Sequence, residues 1–114
     1  KRLLGLRYYL STIAEAPAII DELSNGLHHR WVESLIADLE SRQSFLATQN
    51  PLVMDSVWWD SAEQAQKGIV LCTRNAEHRW VWRQLTEDEG VRFYEAWRAG
   101  IQQIHEVLKT ESWW

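Results

Sequence analysis

Apolar residues recur along most of this chain at steps of three and four, the spacing that lines one face of an α-helix. Leu3, Leu6, Leu10 and Ile13 share such a face over residues 2–16, and Ala16-Pro17 interrupts it. Pro17 suits the first position of a short helix reaching Leu23, which the Ser24-Asn25-Gly26 turn signal closes. From about His28 to Thr48, Trp31, Leu35, Leu39 and Leu46 form one stripe that Val32, Ile36 and Phe45 widen, until Asn50-Pro51 breaks the pattern.

Residues 52–85 support two descriptions. As helix, Trp58, Ala62, Ala65, Ile69, Cys72, Ala76 and Trp80 make a continuous stripe, and Ser61 with Gln64 gives a capping-box pattern. As strands, residues 69–73 and 79–83 are two β-favouring runs separated by polar residues 74–78. Helix is the favoured description because a hairpin without a sheet to join is marginal in water. The last segment is plainer. Thr86 is a natural N-cap with Glu89 three residues on, acidic residues fill the first turn, and Tyr94, Trp97, Ile101, Ile104 and Leu108 follow as a narrow seam. Gly90 and Gly100 weaken that helix, and Gly100 is expected at a close helix crossing.

These segments predict a mainly α fold, a small antiparallel bundle of four to five helices, with an α+β fold carrying a hairpin at about 69–85 as the alternative. With 114 residues, of which 46% are hydrophobic, a single helical domain is expected over 1–114. A start at Lys1 and an end at Trp113-Trp114 suggest one piece of a longer polypeptide. Cys72, the lone cysteine, stands among apolar residues and reads as a buried thiol in a reducing compartment. No apolar run is long enough to span a bilayer and the first ten residues lack a secretion signal, so the expected location is the cytoplasm, with no membrane partner.

Charge is unevenly placed. Residues 61–85 hold Lys67, Arg74, Arg79 and Arg83 against Glu63 and Glu77, whereas the flanking segments are acidic and the whole chain carries −4. Solvated faces of alternating sign explain this in a bundle.

Tryptophan changes the picture most. Of eight, Trp31, Trp58, Trp80 and Trp97 fall on the apolar stripes and are expected in the core. Trp59 and Trp82 lie beside a stripe, and Trp113 and Trp114 close the chain. Exposed indoles are enriched at interface hot spots, because a large rigid ring gains contact area at little entropic cost. Trp59, Trp82, Trp113 and Trp114 are therefore the expected partner-binding residues, flanked by Arg79 and Arg83. The same stretch, through Arg74, Arg79, Trp82 and Arg83, offers rings for bases and guanidinium groups for phosphates, as single-stranded nucleic acid requires. An acidic total charge and only three lysines argue against that use.

Candidate chemistry is otherwise sparse. His28, His29, His78 and His105 show no metal-ligand spacing, the serines lack a nucleophile motif, and every glycine is solitary. No cofactor and no enzymatic activity are expected. The first expectation is a non-catalytic helical interaction domain that docks onto a partner protein or onto itself as a homo-oligomer. A small helical subunit contacting single-stranded nucleic acid within a nucleoprotein complex stands second, and a helical-bundle metalloenzyme third. The order of segments resembles helical dimerisation modules of bacterial regulators and small helical subunits of nucleic-acid effector complexes, without a motif that names a family.

Overall fold

The computed structural model describes residues 8–11, 16–22, 28–39, 42–111 and 113. In chain order these hold a helical stretch at residues 8–11, β1 (Ala18–Asp21), α1 (His29–Leu39), β2 (Ser44–Ala47), α2 (Pro51–Ser56), α3 (Ala62–Gly68), β3 (Val70–Arg74), β4 (Trp80–Gln84), α4 (Glu87–Ala99) and α5 (Ile101–Thr110). They fall into two compact units, Lys1–Val57 and Trp58–Trp114.

The chain is not a mainly helical bundle. Among the described residues the helices are joined by one parallel and one antiparallel pair of strands. Three expected helices give way to strands. The short helix from Pro17 to Leu23 is replaced by β1, the long one from His28 stops at Leu39 with β2 beyond it, and the stripe through 69–85 is a hairpin. Of the first expected helix, Leu3, Leu6 and Ile13 lie outside the described residues, while Leu10 is buried.

In the first unit β1 and β2 run parallel, from Ala18 opposite Ser44 to Asp21 opposite Ala47. Parallel neighbours need a long crossover, and α1 lies within it. Alternation then decides which side chains meet the core. Ala18 and Ile20 are buried against Val32, Leu35, Ile36 and Leu39 of α1 and Val53 of α2, while Ile19 and its partner Phe45 face outward at 75% and 55% exposure. Trp31, expected in the core, sits at the edge of the apolar face of α1 and is half exposed. Arg42 Nη1 donates to the Leu10 carbonyl at 3.0 Å, tying the chain before β2 to the N-terminal stretch.

In the second unit α3 and α5 both pack on α4. Ser61 caps α3 by accepting from Gln64 N at 3.1 Å, and Gln64 Oε1 accepts from Asp60 N at 2.7 Å. Thr86 and Glu89 form the full capping box at the start of α4, as their spacing implied. Gly90, not Gly100, marks the close crossing: a Cβ there would stand 2.9 Å from Gln66 Cβ and 3.0 Å from the Ala62 carbonyl oxygen. Gly100 instead ends α4, with φ 115° and ψ 172°, a backbone that glycine alone adopts without strain. This break resets the helical phase. The apolar side chains α4 buries are Phe93 and Ala96 rather than the expected Tyr94 and Trp97, while Ile104 and Leu108 stay buried on α5. Trp59 packs edge-on against Phe93, with ring centroids 5.7 Å apart, and both are buried.

Candidate functional site

The hairpin owes its turn to one residue. Asn75 Oδ1 accepts from the backbone N–H groups of Glu77 and Arg79, each at 3.0 Å, and the His78 N–H donates to the Asn75 carbonyl at 2.9 Å. An asparagine side chain that binds its own backbone two residues on mimics a turn and competes with helix. His78 takes φ 59°, the left-handed position that a three-residue hairpin loop needs. Val70, Thr73, Val81 and the two indoles of β4 then supply β-favouring flanks.

Register fixes the two faces. Val70 stands opposite Gln84, Cys72 opposite Trp82 and Arg74 opposite Trp80, and opposed residues project to the same side of an antiparallel pair. All six are exposed, Trp80 at 62% and Trp82 at 71%. The other face carries Leu71 and Thr73, both half-buried, together with Val81 and Arg83. Arg74 places its guanidinium carbon 4.7 Å from the centre of the Trp80 ring, a cation–π distance. The result is a solvated platform of two indoles, a valine, a thiol and one stacked cation.

Arg83, on the opposite face, holds the hairpin to α4. Its two terminal nitrogens donate to the two Glu89 carboxylate oxygens at 2.8 and 2.9 Å. Glu89 also accepts from Thr86 N at 2.7 Å, so one carboxylate caps the helix and grips the strand. The Arg83 hydrogen bonds hold the Glu89 carboxyl at about 2, well below the usual range and against the opposing effect of burial. Gln84 Nε2 donates to the Lys67 carbonyl at 2.9 Å and adds a second tie, from β4 to α3. These anchors are why a two-stranded sheet survives here. It is not isolated.

No family model, curated protein or solved structure matches the chain. What the surface can bind therefore follows from its own chemistry.

The structure redistributes the expected binding residues. Trp82 lies on the exposed platform, but Trp59 is only 7% exposed and locked against Phe93, so it has no ring face to offer a partner. Trp113 is partly buried beyond the end of α5, and Trp114 lies outside the described residues. Arg79 pairs with Glu77 at the turn, and Arg83 is committed to Glu89. Of the cations expected to meet phosphates, Arg74 alone lies on the platform. The expectation of core positions for Trp58 and Trp80 is overturned, since they are 67% and 62% exposed. Cys72 is exposed as well, not buried. Trp80 is the residue the helical stripe misplaced. The signal for it was the alternation of Trp80 with Trp82 beyond an asparagine-led turn.

A second aromatic group lies in the same unit. Trp58 meets Trp97 edge-on at 5.2 Å, Trp97 stacks with Tyr94 at 5.8 Å, and Arg98 stands 6.0 Å above the Tyr94 ring. Trp58 Nε1 donates to Asp60 Oδ1 and the Tyr94 hydroxyl to the Asp60 carbonyl. These bonds fix the rings to one another, with Trp58 exposed and Tyr94 and Trp97 partly buried. In the first unit His29 Nε2 lies 3.2 Å from Glu33, and burial raises the nearby Asp55 carboxyl, with His29 opposing and Glu33 adding to the shift. Among the described residues no group of three or more His, Cys, Asp or Glu side chains is placed to hold a metal ion. No helix among the described residues is long and apolar enough to cross a membrane.

Proposed function

We propose that this protein is a non-catalytic interaction module that binds a partner protein through the exposed Trp80/Trp82 platform of its hairpin. The observation that carries the proposal is the pair of indoles, two residues apart on one strand and both more than half exposed, on a hairpin anchored by Arg83–Glu89. Rigid, exposed tryptophan gains large contact area on docking and loses little rotamer freedom. Arg74 over Trp80 adds a directional charge at the platform's end.

Binding of single-stranded nucleic acid draws less support. Two of the three arginines it would use are paired with carboxylates, and the chain carries −4 overall. A phosphate backbone needs several free cations along its path.

Quantitative affinity capture with wild-type protein, a Trp80→Ala/Trp82→Ala double variant and a Trp58→Ala control tests the proposal. The expected result is a partner retained by wild type and control and lost from the double variant, whose circular dichroism and urea midpoint are unchanged. A partner set indifferent to both indoles refutes it. Salt-dependent fluorescence quenching by oligothymidylate, abolished in the double variant, would move the assignment to nucleic acid.

A further inference from the structure

We infer that the outer edge of β4 receives an extended segment of a partner protein as a third strand, with a carboxylate of that segment directed to Arg74. This rests on the platform being the contact surface, and specifies how the partner is held.

The edge follows from the ladder. Asn75 N donates to the Arg79 carbonyl at 3.0 Å, so these two form a hydrogen-bonded pair. In an antiparallel ladder such pairs alternate with pairs whose backbone groups point away from the partner strand. Counting back through the register turns the N–H and C=O groups of Trp80, Trp82 and Gln84 outward. The Gln84 carbonyl is taken, since Arg83 Nη1 donates to it at 3.1 Å. At Trp80 and Trp82 no described residue donates or accepts. Folded proteins protect such an edge with proline, lysine, a bulge or a covering element, whereas Trp80-Val81-Trp82 carries no such residue. A strand added there gains backbone hydrogen bonds and sets every second side chain against the indoles.

Charge selects the occupant. Arg79 is paired with Glu77 and Arg83 with Glu89, which leaves Arg74 as the hairpin cation with no carboxylate partner among the described residues. Edge-to-edge pairing with a second copy would bring two cationic hairpins together. An acidic segment instead meets Arg74, whose guanidinium already leans over Trp80, toward the open edge. A glutamate opposite Trp80 on the added strand lies beside that guanidinium, and an apolar residue opposite Trp82 covers the second ring.

The test is a nitrogen-15 NMR titration of the full chain with three blocked heptapeptides. The first alternates valine and threonine around a central glutamate. The second has lysine for the glutamate, and the third keeps the first sequence but is N-methylated at alternate amides. Binding of the glutamate peptide, with shifted Trp80 and Trp82 indoles and slowed amide exchange at both residues, is the expected result. The N-methylated peptide should bind at least tenfold more weakly and the lysine peptide three- to tenfold more weakly. Arg74→Gln should erase the glutamate–lysine difference. Equal binding of the first and third peptides overturns strand addition while leaving the platform reading intact. No change at Trp80 or Trp82 at millimolar glutamate peptide also overturns it, and so do oligothymidylate shifts at these indoles without peptide shifts.

Discussion

Replacing Glu89 by glutamine isolates the charge that joins hairpin and helix. Glutamine keeps an oxygen for the Thr86 N–H, so the capping box survives and only the ion pair is lost. A carboxyl that falls from its ordinary 4.5 to about 2 on folding corresponds, at about 1.4 kcal/mol per tenfold change in acidity, to about 3 kcal/mol of charge-linked stability. Glu89 is largely buried, but the Arg83 side chain is 40% exposed and water screens the pair, which brings the working figure to about 2 kcal/mol. The folded-state value is the depressed one. The contribution is therefore complete above about pH 4.5 and fades as the pH falls toward 2. Urea unfolding, followed by tryptophan fluorescence, should place Glu89→Gln about 2 kcal/mol below wild type at pH 7, with the gap closing to within about 0.5 kcal/mol near pH 2. Urea is uncharged and leaves the pair unscreened. A gap below about 0.5 kcal/mol at pH 7, or one that does not narrow with acid, would show that the bidentate bond does not hold the hairpin as described.

Further expectations follow from burial and close approach. Gly90→Ala gains about 1 kcal/mol of helix propensity yet should destabilise by about 1–2 kcal/mol in thermal unfolding, because the new methyl group meets Gln66 and the Ala62 carbonyl; a raised melting temperature would contradict the crossing. Phe93→Ala, at a fully buried ring, should cost about 3–5 kcal/mol, whereas Trp80→Ala and Trp82→Ala should each cost under about 1 kcal/mol. Comparable losses at all three sites in urea titrations would place the hairpin indoles in the core. Gly100→Ala should destabilise by about 1–2 kcal/mol through backbone strain alone, since nothing lies within 4 Å of its added carbon; a neutral result would rule out the left-handed junction.

Local signals were legible where a side chain acts on its own backbone. The Thr86/Glu89 box, the Ser61/Gln64 cap and the apolar face of α1 all follow from spacing within one turn of helix. Strands were hidden because three-four periodicity and alternation overlap in short apolar runs. Ile19 and Ile20, or Leu71 and Cys72, satisfy either pattern, and only a partner strand decides. Trp80 left its expected core position for that reason. The helical stripe made one ring core and its neighbour surface, while the actual turn after Asn75 puts Trp80 and Trp82 on the same side. The link from Arg83 to Glu89 joins residues six apart across a loop, in a strand–helix geometry that periodicity does not encode.

The two strand pairs also differ in how far apart their members lie in the chain. Arg74 and Trp80 are six positions apart, whereas Ala18 and Ser44 are separated by twenty-six. Closing the larger loop costs about 1.3 kcal/mol more in chain entropy, and its crossover must be spanned before the parallel bonds can form. A hairpin of this kind assembles in roughly microseconds, ahead of non-local pairing. In refolding from urea, the hairpin with its Arg83–Glu89 anchor is therefore expected to form before Ile19 and Phe45 pair, with closure of the parallel strands the slower step of the first unit.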